Sequence, residues 1–147
     1  MLFRSFQRAG LRQEKRVAYA FLLRERADAL PLDHRGGAAG SAVRNEAFIK
    51  AANAFSASVP GALREEKRSY HRNAGECYER GGDNKRAAES YLDAEQYDLS
   101  AKLFRKTGLF DEALDVVKNH EDKMSESIVR SIVEVSKIQF LRENKIG

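Results

Sequence analysis

The chain has 147 residues, 42% of them apolar and 33% charged, with a formal net charge of +4. That balance suits one folded domain large enough to bury a core, and it excludes a disordered or collagen-like chain. The longest apolar run, Val17 to Leu23, is too short to span a bilayer, no secretory signal is expected, and one cysteine leaves no internal disulfide to form. The expected setting is intracellular, cytoplasmic or nuclear, with no membrane partner.

Residues 1–36 carry eight Lys/Arg against four Asp/Glu, while residues 37–147 carry eighteen of each, so the whole cationic surplus lies in the first quarter. Met1 to Ala9 reads as the tail of a helix closed at Gly10. Arg12 to Leu30 reads as the next helix, ended by Pro31, so residues 1–30 form basic N-terminal helices. The middle of that second helix, Val17 to Leu23, is apolar on nearly every face, which assigns Tyr19 and Phe21 to core and predicts contact on more than one side. Arg8, Arg12, Lys15 and Arg16, flanked by Arg4, Arg24 and Arg26, make a patch for nucleic acid or an acidic partner, split in two by the break at Gly10.

Residues 31–41, with Gly36-Gly37-Ala38-Ala39-Gly40, read as a flexible loop. Residues 42–80 read as a long helix pair: Ala42 to Ala57, with Phe48, Ala51, Ala52 and Phe55 on one face, and about Ala62 to Arg80 after the Ser58-Val59-Pro60-Gly61 turn.

From Tyr78 onward a large apolar residue recurs every thirteen positions, at Tyr78, Tyr91, Phe104 and Val117. Small residues at Ala88 and Ala101 and aromatics at Tyr97 and Phe110 keep the same step, so residues 84–120 read as short helices of a repeat array. Gly75, Ala87, Ala94 and Ala113 complete the small-residue set that lets helix backbones approach. Gly81-Gly82 and Gly108 suit the left-handed closure of a helix, and Asp83 or Asn84, Asp98 and Asp111 are placed to cap the next one. Phe6-Gln7-Arg8-Ala9-Gly10-Leu11 repeats the residue classes of Phe104 to Leu109, which predicts an array that begins before Met1.

The last helix, near residues 125–142, carries a wide apolar arc that includes Ile128, Ile132, Val135, Phe140 and Leu141. One face packs on the preceding repeats. The remainder is an edge at which either the array continues or copies self-associate, giving a monomer or a weak dimer.

The spacing Gly75-x2-Tyr78-x8-Ala87-x3-Tyr91-x2-Ala94 is similar to the core of the tetratricopeptide repeat over about twenty residues. The following unit departs from that family, returning after 26 residues (Gly75 to Ala101) rather than about 34. More narrowly, Gly75 to Lys118 followed by the Lys123-Met124 helix resembles the helical region of large eukaryotic, often fungal, proteins related to UvrD-like superfamily 1 helicases, which carry tetratricopeptide and ankyrin repeats. This resemblance implies an all-α fold of about seven or eight short antiparallel helices stacked as a solenoid, within a larger chain whose motor lies elsewhere.

Catalytic constellations are not evident. Gly36 to Ser41 has the glycines of a phosphate loop without its lysine, and Gly82-Asp83-Asn84-Lys85 lacks the loop spacing and the hydroxyl. His34, His71 and His120 are far apart, and Cys77 reads as buried and inert. Glu65-Glu66 and Asp111-Glu112 sit in first turns, where they favour the helix dipole. The expected function is therefore a non-catalytic protein-interaction scaffold without a cofactor, whose partner is a protein or a neighbouring domain of the same chain. The alternative is a nucleic-acid-binding accessory region using the basic N-terminal helices.

Overall fold

A computed structural model describes residues 2–31 and 37–146. They form seven α-helices and one 3-10 turn, with no strand among the described residues. The helices are α1 (Leu2–Ala29), α2 (Gly37–Ser58), α3 (Arg64–Arg80), α4 (Asn84–Asp93), α5 (Tyr97–Lys106), α6 (Phe110–His120) and α7 (Glu126–Ile146). The short turn Glu121–Lys123 joins the last two. Each helix packs mainly on the helix before and after it in the chain, and α5 also touches α7.

The thirteen-residue step has a backbone counterpart in three helix-closing turns. The N–H groups of Asp83, Gln96 and Leu109 reach back to the carbonyls of Tyr78, Tyr91 and Phe104 at 2.9, 2.8 and 2.8 Å. In each case the residue before the donor is left-handed: Gly82 at φ 87°, Glu95 at φ 61° and Gly108 at φ 79°. This is the Schellman closure, and it reverses the chain in the same way three times. Ten helical residues and a three-residue turn make up the step through α4 and α5.

Between these turns the small and aromatic positions interlock. Gly75 in α3 lies so close to Tyr91 of α4 that a Cβ there would sit 2.9 Å from the ring's Cδ1. Ala87, Ala88, Ala101 and Ala113 are fully buried, and Tyr78, Tyr91, Tyr97, Phe104 and Val117 nearly so. Polar side chains within the packing are matched: Tyr78 donates to Asn53 Oδ1 at 2.6 Å, Tyr91 to Glu79 Oε1 at 3.0 Å, and Ser100 Oγ to the carbonyl of Ala88 at 2.8 Å. Phe48, fully buried in α2, lies under the guanidinium groups of Arg44 and Arg80 at 4.8 and 5.5 Å from the ring centre.

Several sequence expectations fail near the start. Gly10 does not break the chain into two helices; α1 runs through it, and Arg12 Nε donates to the carbonyl of Arg8 one turn back. Glycine within a helix costs only about 1 kcal/mol relative to alanine, which the flanking residues offset. The likeness of Phe6 to Leu11 with Phe104 to Leu109 therefore does not extend to structure: Gly10 is helical, whereas Gly108 is left-handed. Of the loop expected at 31–41, residues 32–36 lie outside the described residues, but Gly37 to Ser41 already belong to α2.

The apolar middle of α1 is contacted on one side only. Ala20, Leu23 and Ala27 are buried, but Tyr19, Phe21 and Leu22 remain 48%, 46% and 41% exposed, with Phe21 edge-on to Phe55 of α2. Of the expected acidic caps, Asp83 does cap α4, accepting from the Arg86 N–H at 3.1 Å. Asp98 and Asp111 do not cap their own helices; both lie inside the first turn, after the capping positions Gln96 and Leu109. Asp98 instead accepts at 3.1 Å from the N–H of Ser125, just ahead of α7.

Candidate interaction surface

The continuity of α1 changes the shape of the basic patch. Positions 8, 12, 15, 19, 22 and 26 alternate steps of four and three residues, which is one face of a helix. Arg8, Arg12, Lys15, Tyr19, Leu22 and Arg26 are all exposed, so the face is a single row with cations toward both ends and an apolar pair in the middle. Arg16 is exposed but lies off this row, toward the side that packs on α2. Arg24 leaves the patch altogether: its guanidinium bonds Asn73 and Glu76 of α3, the latter at 2.9 Å. A helix stop at Gly10, which the sequence suggests, would divide this row; the continuous helix joins it.

The other open surface follows α6 and α7. Ile132 is fully buried and Ile128 and Val135 partly so, which removes them from the expected exposed edge. Phe140 and Leu141 do belong to it, at 65% and 59% exposure, together with Ile138. Val129, Val133, Ser136 and Phe140 follow one another at steps of four, three and four along α7. Val129 and Val133 line a hollow of about 310 Å³ together with Met124. Ser136 and Phe140 line a second hollow, of about 340 Å³, with Leu109 and Leu114 opposite. The Ser136 Oγ is buried and has no hydrogen-bond partner.

The thirteen-residue positions form the packed core between these surfaces. Gly75, Tyr78, Ala87, Ala88, Tyr91, Ala94, Tyr97, Ala101, Phe104, Ala113 and Val117 are all buried, Phe110 is half-buried, and Gly108 is exposed in its turn. Cys77 is fully buried, and burial pushes its thiol up to about 11 against the opposing pull of Arg24 and Arg80. A thiol so placed is not a nucleophile at neutral pH. His120 stacks on Tyr97 with ring centres 3.9 Å apart. Among the described residues, no group of three His, Cys, Asp or Glu side chains converges for a metal ion, and no helix is long and apolar enough to cross a membrane.

Comparison of the chain with protein-family models, with curated proteins and with solved structures finds no match.

Proposed function

We propose that the chain is a non-catalytic interaction or scaffolding module, a tetratricopeptide-like helical array from a large helicase-related protein. The observation that carries this reading is the triple recurrence of one turn geometry at a thirteen-residue step, joined to packing that runs from each helix to its neighbours. Units of this kind bury a continuous core only by stacking, and the stack presents long open faces to partners. The inert buried thiol adds no chemistry to that role.

The test is affinity capture with the purified chain, followed by titration of the captured protein after it has itself been purified. Saturable binding weakened by Phe140→Ala/Leu141→Ala or by Arg12→Ala/Lys15→Ala supports the module. Absence of any protein ligand, with tight oligonucleotide binding instead, refutes it. The nucleic-acid reading has one observation in its favour, the gathering of Arg8, Arg12, Lys15 and Arg26 on one face of α1. It requires affinity that falls steeply with salt, with the slope reduced by each cation removed.

A further inference from the structure

The two open surfaces are complementary in charge, in polarity and in length. The α1 row carries Arg8, Arg12, Lys15 and Arg26 around exposed Tyr19 and Leu22, with no acid on the row. The two hollows along α7 mix apolar and acidic linings: Val129 and Val133 with Glu121, Glu126 and Glu134 in the first, and Leu109, Leu114 and Phe140 with Asp111, Glu112 and Glu143 in the second. Among the described residues, Arg130 is the one cation lining either of them. At a rise of 1.5 Å per residue the cationic row from Arg8 to Arg26 extends about 27 Å, and the span from Glu126 through Glu134 to Glu143, in which Arg130, Lys137 and Arg142 are interspersed and Lys137 pairs with Glu134, about 26 Å. An amphipathic helix seated in a groove needs this combination of apolar anchors and opposite charges.

We propose that the occupant is α1 of a second copy of this chain, docked head to tail into the α6–α7 groove. The two surfaces belong to the first and last helices of a succession in which contacts run mainly between neighbours, so one molecule presents both at once. A contact between two different patches is heterologous and propagates from copy to copy unless its rotation closes a ring. Tyr19 and Leu22 supply the anchors, and the cations fix the register against the acidic side chains. An oligonucleotide satisfies the cations but leaves Leu22 without an apolar partner, and one tyrosine is a short platform for stacking bases. The inference rests on the interaction-module reading only in treating these faces as docking surfaces.

The test is sedimentation velocity of the full chain from low micromolar to about 100 µM, a range that resolves modest self-affinity, in low and in high salt. The expected result is a mass that grows with concentration in low salt and returns to monomer in high salt. Arg12→Glu/Lys15→Glu on α1, or Glu126→Lys/Glu134→Lys on α7, is expected to weaken self-association about tenfold or more. Mixing the two variants restores association, because each retains the half that the other lacks. Circular dichroism establishes that both variants remain helical, and the mixing result does not depend on either assembling alone. A wild-type chain that stays monomeric throughout overturns the inference, as does assembly that neither reversal alters or that mixing fails to restore. A monomeric chain that still captures a foreign protein overturns this contact and leaves the module reading standing. Binding of a defined oligonucleotide by the α1 row without self-association also overturns it.

Discussion

Gly75→Ala isolates the contact on which the thirteen-residue register depends. Glycine in a helix is less stable than alanine by about 1 kcal/mol, so on propensity alone the change stabilises α3. The structure opposes this gain. A Cβ on Gly75 meets three atoms of the Tyr91 ring at 2.9, 3.0 and 3.2 Å, closer than real side chains pack. That ring is 3% exposed and is held at its far end by the bond to Glu79, so it cannot swing away freely. Overpacking of this kind costs about 1–3 kcal/mol, and three simultaneous ring contacts place it toward the upper end. The expected balance is a loss of about 1–2 kcal/mol, measured by urea denaturation with an unchanged m-value. In a Tyr91→Leu background the obstructing ring is gone, and the same Gly75→Ala change is expected to stabilise by about 1 kcal/mol. The sign reversal, a coupling well above about 0.5 kcal/mol, is the diagnostic. If Gly75→Ala stabilises the wild-type chain, the account of α3–α4 packing is wrong.

Glu95 holds a left-handed conformation that costs a non-glycine residue about 1–2 kcal/mol, so Glu95→Gly is expected to raise stability in thermal denaturation. The gain is net of an exposed Arg68–Glu95 ion pair worth about 0.2–1 kcal/mol. Asp98→Ala removes the acceptor for the Ser125 N–H and is expected to cost about 1 kcal/mol, while Asp111→Ala, which caps nothing, stays within about 0.5 kcal/mol in the same urea titration. For Cys77, burial raises the folded thiol from 9.0 to about 11, so folding favours the neutral form. That contribution is complete below pH 9.0 and is lost as pH rises toward about 11. Cys77→Ala therefore flattens the alkaline limb of stability against pH, and the native thiol resists alkylation at pH values where the unfolded chain reacts.

The register of the array was legible because two signals coincided at the same positions. Tyr78, Tyr91 and Phe104 mark the buried face and also supply the carbonyls that close the turns, so apolar spacing and turn spacing are one period. Glycine was less dependable as punctuation. At Gly108 the chain must reverse so that Leu109 can return to the core, and a left-handed residue is needed. At Gly10 no reversal is required and, among the described residues, nothing from outside its own turn of helix lies within 4 Å of a Cβ placed there, so the residue is carried along by the helix around it. Glu95 shows the converse: a left-handed turn with no glycine, held by the same backbone bonds as its two neighbours in the series. The α1 row was hidden for this reason, since its spacing emerges only when the helix is continuous. The role of Asp98 depends on α7 returning beside α5, a tertiary fact that no local pattern contains.

Two pairs of alternate helices are also joined by long polar side chains. Arg24 and Asp28 of α1 reach Glu76 and Arg80 of α3, and Arg105 of α5 reaches Ser131 of α7. Successive helices, by contrast, are locked by rings seated against glycine and alanine. Packed interiors resist deformation, whereas half-exposed ion pairs exchange partners with water at small cost. Salt therefore weakens the ion pairs between α1 and α3 first and leaves the packed seams between successive helices in place.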